Sequence, residues 1–139
     1  MTDTNSDPFD IANFEASESA WLDVNDMAGE PLLYKGAPVR IALYGPGSAA
    51  YVKADAKAAA ASSARAFAAM RGKPGKTDAE EAKKTMVDKL AACTQTIENF
   101  PIPGGAASLY ANPKLGYITN QVVRFLDDWQ NFKPGSVTV

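Results

Sequence analysis

Apolar and polar residues alternate in two early stretches of the chain. Ala20, Leu22 and Val24 alternate with Trp21 and Asp23, and Val39, Ile41 and Leu43 alternate with Arg40, Ala42 and Tyr44. A period of two sets one row of side chains on a core and the other toward water, so both stretches are predicted to be strands. Met27-Ala28-Gly29-Glu30-Pro31 and Lys35-Gly36 lie between them and are turn-prone. The pattern predicts a β-hairpin or a small three-stranded meander. Two strands alone are marginal in water, so this ribbon must rest on helices or on another subunit.

The period then lengthens. From Ser48 to about Arg71 the chain is very rich in alanine, the best helix former, and a long helix is predicted. Tyr51, Asp55, Ala58 or Ala59, Ser62, Ala66 and Met70 fall near one face, with Phe67 adjoining. Its small side chains allow a second helix to approach closely. Gly72-Lys73-Pro74-Gly75-Lys76 ends it. Thr77, with Glu80 three residues on, reads as a capping box opening a helix to about Asn99. Met86, Leu90, Cys93, Ile97 and Phe100 form its apolar stripe. After the break at Pro101–Gly105, a short helix is predicted over Ala106–Ala111 and a last one over Gly116–Phe132. The last carries Ile118, Val122, Phe125, Trp129 and Phe132 at spacings of four and three.

The expected fold is therefore α+β and mainly α-helical, an N-terminal β-hairpin or small meander packed on a bundle of three to four helices. Residues 1–16 read as a flexible arm able to dock Phe9, Ile11 or Phe14, residues 17–133 as one domain, and residues 134–139 as a tail.

Composition narrows the chemistry. The chain has 139 residues, 46% hydrophobic and 22% charged, which suits one globular domain. A net charge of −2 provides no general basic field for nucleic acid. The polar, acidic start has no signal-peptide pattern, and no apolar run approaches the roughly 20 residues of a membrane helix. A cytosolic protein binding neither membrane nor nucleic acid is expected. There is no histidine, which removes the commonest general base and metal ligand, and the one cysteine, Cys93, cannot form an internal bridge. No catalytic residue, cofactor or metal is expected.

Ile41-Ala42-Leu43-Tyr44-Gly45-Pro46-Gly47-Ser48 has the strand–turn–helix outline of a phosphate loop. Yet no lysine stands where a Walker loop needs one, Ala50 breaks the dinucleotide fingerprint, and Pro46 has no N–H to offer an anion. The stretch is read as a corner, with Ser48 capping the helix. Asp127-Asp128 is read as part of a solvated helix face, because consecutive helix residues point about 100° apart. Cys93 is read as a buried thiol, and Arg71, Lys73 and Lys76 as a solvated basic loop. Tyr110, Tyr117, Trp129 and Phe132 cluster in the last quarter and are the candidates for protein interaction, since aromatic residues are enriched at interfaces.

Several segments in order resemble one family. Leu43, Gly45, Pro46 and Ser48 end a strand; Leu90, Ala91, Ile97 and Phe100 follow, then Leu109, Tyr110 and Pro113, then Gln121, Val122, Phe125, Asn131 and Phe132. This order is similar to that of the tail assembly chaperones of long-tailed bacteriophages and prophages, over about residues 20–132. The resemblance implies a non-enzymatic protein of the host bacterial cytoplasm. Such a protein coats the tape measure protein, keeps it soluble, recruits tail tube protein and leaves before the virion is complete. A homo-oligomer is compatible with it. The alternative expectation is a structural virion protein of the tail, a tube or connector subunit, which a ribbon and an exposed helix could also build.

Overall fold

The computed structural model describes residues 8–72 and 78–134. Five strands and four α-helices are found among them: β1 (Ser19–Asp23), β2 (Leu33–Tyr34), β3 (Ala37–Pro38), β4 (Arg40–Tyr44), α1 (Ala49–Met70), α2 (Asp78–Ala92), β5 (Thr94–Glu98), α3 (Gly105–Ala111) and α4 (Gly116–Leu126). The fold is α+β, with antiparallel strands packed on helices. The proposed cap at Thr77 and the lysines at 73 and 76 lie outside the described residues.

The two alternating stretches pair as expected. β1 and β4 are antiparallel, with Trp21 opposite Ala42 and Leu22 opposite Ile41. Ala20, Leu22, Val24, Val39, Ile41 and Leu43 are buried on one face. On the other face the Arg40 guanidinium lies 4.1 Å from the centre of the Trp21 ring and donates to Glu98 at 3.1 Å. The excursion between β1 and β4 folds as the small hairpin β2–β3. Its two central residues, Lys35 (φ 54°) and Gly36 (φ 78°), both take positive φ, as a tight two-residue turn requires.

The third strand of the sheet comes from an unexpected place. The order is β1-β4-β5, so β5 is drawn from the segment predicted to extend the second helix to Asn99. That helix stops at Ala92. The Thr94 hydroxyl donates back to the Leu90 carbonyl at 2.9 Å, and the Tyr44 N–H takes the Cys93 carbonyl at 2.8 Å. Leu43 faces Thr94 while Ala42 faces Thr96, so Gln95 is an extra residue, a β-bulge. The bulge resets the side-chain parity. Thr94 and Ile97 share the inward face three residues apart and mimic helical spacing. Beyond the strand Asn99 takes φ 62°, and its amide donates to the Tyr34 and Ala37 carbonyls at 2.9 and 2.8 Å, holding the small hairpin in place.

The last predicted helix is also shorter. α4 ends at Leu126, and a separate 3-10 turn covers Trp129–Phe132. Asp127-Asp128 is the break itself: the Asp128 carboxylate accepts from the Gln130 N–H at 2.9 Å and caps the new turn. The Asn131 amide ties that turn back to the Phe125 carbonyl at 3.0 Å. The outer elements are pinned to the sheet by Gln121, which accepts from the Asn25 N–H and donates to the Asn25 carbonyl, both at 2.8 Å.

Propensity alone placed α1 correctly, but alanine cannot declare which side is covered. Tyr51, Ala54, Ala58, Ala61, Arg65 and Ala68 form the covered side, not Asp55, Ser62, Ala66 and Met70, which are exposed. The extensive neighbour of α1 is α2. Lys89 bonds Asp55 at 2.9 Å and lies over Tyr51, and Arg65 donates to Thr85 at 2.9 Å, so polar clamps cross an interface whose apolar side chains are small.

Candidate interaction surface

The corner at Gly45–Ser48 is built by hydrogen bonds within the chain. The Ser48 N–H and hydroxyl both donate to the Gly45 carbonyl, at 2.9 and 2.7 Å, and the hydroxyl then accepts from the Tyr51 N–H at 3.1 Å. Ser48 is buried and serves as the cap of α1. The Gly45 N–H donates to the Glu18 carbonyl at 2.9 Å. The Ser48 hydroxyl and the N–H groups of Gly45, Ser48 and Tyr51 are thus all engaged within the chain.

The 3-10 turn Trp129–Phe132 covers this corner. A Cβ on Gly45 would stand 2.7 Å from Cδ1 and 2.9 Å from Cγ of Phe132. A Cβ on Gly47 would meet Trp129 only at 3.4 Å, an ordinary contact. Gly45→Ala is therefore expected to cost about 1–3 kcal/mol, as overpacking does, whereas Gly47→Ala stays close to neutral. Urea denaturation of both variants checks this, and equal midpoints would show that the ring yields.

The four aromatic candidates do not converge on one surface. Phe132 is fully buried, and its ring meets Phe125 edge-on with centroids 5.3 Å apart. Tyr110 is also buried, its hydroxyl 2.7 Å from that of Thr94. Burial pushes the Tyr110 phenol up to about 12, although its hydrogen bond with Thr94 works the other way. Tyr117 packs partly buried against the core. Trp129 alone presents most of its area, at 58% exposed.

Cys93 is buried, as its place on the apolar stripe implied, and burial raises its thiol to about 11. A thiol so held is a poor nucleophile at neutral pH. Burial lowers the Lys89 ammonium, but its bond to Asp55 and the charges of Tyr51 and Asp55 overcome this and raise it. Among the described residues no group of three His, Cys, Asp or Glu side chains could hold a metal ion. No helix among them is long and apolar enough to cross a membrane.

The large apolar side chains left outside lie elsewhere. Val52, Ala56, Ala59, Ala60, Ser63, Ala66, Phe67 and Met70 make an uncharged, exposed stripe on α1, on the side away from α2. In the arm, Phe9, Ile11 and Phe14 are 79%, 61% and 70% exposed. The helical stripe is invisible to a reading of amphipathicity, because alanine occupies both faces of α1. Comparison with protein-family models, with curated proteins and with solved structures finds no match.

Proposed function

We propose that this chain is a tail assembly chaperone of a long-tailed bacteriophage or prophage. It acts without catalysis in the host cytoplasm, holds the tape measure protein in solution and brings tail tube subunits to it. The observation that carries the reading is the ordered set of segments, because each has a defined packing task in one domain. Leu43 and Gly45 lead into the corner, Phe132 covers it, Tyr110 meets Thr94, and Gln121 holds the loop after β1. The uncharged stripe of α1 supports it further. It runs about 27 Å from Val52 to Met70 at roughly 1.5 Å per residue and offers small side chains between apolar ends, a surface on which a client helix can lie closely.

Co-expression with the tape measure protein encoded in the same genome is the test. The soluble fraction of that protein should rise markedly, and an unchanged fraction defeats the proposal. Mass spectrometry of purified particles should then find the chain absent. Abundance there favours a tube or connector subunit instead.

A further inference from the structure

Charge is segregated along the chain far more than its total suggests. Residues 1–34 contain eight acidic and no basic residues, while residues 35–76 contain eight basic residues and one acid, Asp55. The acidic segment includes the arm. Its described part folds as a 3-10 turn, Ile11–Asn13, whose Ala12 N–H is capped by Asp10 at 3.0 Å. Phe9 and Phe14 stack on each other with centroids 5.6 Å apart, and neither is buried in its own chain. Each is followed by an acid, Asp10 and Glu15.

A receptor of matching chemistry lies between α1 and α2. A groove of about 120 Å³ has an alanine floor of Ala54, Ala58, Ala61 and Ala92, and its polar rim is Lys57, Lys89, Thr85 and Asp88, the last paired with Lys84 at 2.9 Å. A cavity of roughly 150 Å³ is known to take benzene, so this groove is on the scale of one phenyl ring. Lys89 is engaged by Asp55, but Lys57 is exposed and makes no ion pair among the described residues. No described residue of the arm lines the groove of its own chain.

We propose that the arm of one copy docks in the α1–α2 groove of a second copy, the Phe14 ring on the alanine floor and the Glu15 carboxylate toward Lys57, since the Asp10 carboxylate already caps the Ala12 N–H. Each copy then offers one arm and one groove, so association is built from unlike surfaces. The proposal does not depend on the chaperone reading. Its test uses the purified full chain with no client, so either idea can fail alone.

Sedimentation velocity over a concentration series reads the association. The native chain should self-associate. Phe9→Ser with Phe14→Ser should weaken this about tenfold or more, the usual effect of losing a buried aromatic anchor. Lys57→Glu alone and Glu15→Lys alone should each weaken it, and the two together should recover most of the loss. A chain with the Phe9→Ser and Phe14→Ser changes keeps its groove, and a Lys57→Glu chain keeps its arm. Mixed, they should form one-to-one pairs at concentrations where neither pairs with itself. Unchanged melting curves would establish that the variants fold. A native chain that stays monomeric at high micromolar concentration overturns the proposal, as does unaltered association of the arm variant or mixtures that form no pairs.

Discussion

Phe132→Ala should lower the stability of the domain by about 3–5 kcal/mol, the range for deleting a fully buried aromatic ring. The ring lies against Gly45, meets Phe125 edge-on and has no exposed surface. Its removal opens a cavity under the turn that carries the cap of α1, and neither Gly45 nor the capping Ser48 can fill it. Loss of stability with an unchanged association constant would place Phe132 in the core alone. A midpoint within the error of the native chain in urea would instead mean that the 3-10 turn contributes little to the folded state. The double variant with Gly45→Ala sharpens the assignment. The added methyl group enters space that the missing ring vacates, so the two costs should fall short of additivity.

Stability should also decline steeply in alkali. Cys93 is raised from an ordinary 9.0 to about 11 and Tyr110 from 10.0 to about 12, both by burial of groups that are neutral when protonated. The folded chain therefore holds these protons more tightly than the unfolded chain does. Their contribution is complete below the unfolded values and is lost as pH rises through the folded ones. At roughly 1.4 kcal/mol per pH unit, each group accounts for about 3 kcal/mol, Cys93 between pH 9.0 and 11 and Tyr110 between 10.0 and 12. Lys89, raised through its ties to Asp55 and Tyr51, adds in the same direction at the upper end. Urea midpoints measured from pH 8 upward follow this loss. Cys93→Ala should flatten the first part of the decline, and a native profile level to pH 11 would refute the burial argument.

The sequence showed some of these elements because one physical rule determined each. Ser48 after two glycines and before a run of alanine has few roles other than a helix cap. The alternation at Ala20–Val24 and Val39–Leu43 has one reading because the larger apolar side chains of both strands share one buried face, although the small Ala42 on the other face is covered too. β5 was hidden because two rules coincide there. Its bulge spaces Thr94 and Ile97 as a helix would, and no local feature separates the two interpretations. The strand is decided by the open edge of β4, a tertiary matter. The break at Asp127-Asp128 interrupts an apolar stripe that could have continued, and it is the buried corner that draws Phe132 inward. The candidate surface was less legible. Four aromatic residues stood out by type, but type does not tell a core ring from an exposed one. The exposed side of α1 carries almost no hydrophobic contrast.

The Ser17 N–H donates to the Phe132 carbonyl at 2.8 Å, so the beginning and end of the packed unit are neighbours. In topological terms the domain is a ring of chain with a gap one hydrogen bond wide. A permuted gene that spliced residue 132 to residue 17 through a short linker and opened the ring between α1 and α2 would retain every strand pairing and every interhelical clamp. The order of synthesis would change while the architecture stayed the same, and the two helices of the hairpin would become the new ends.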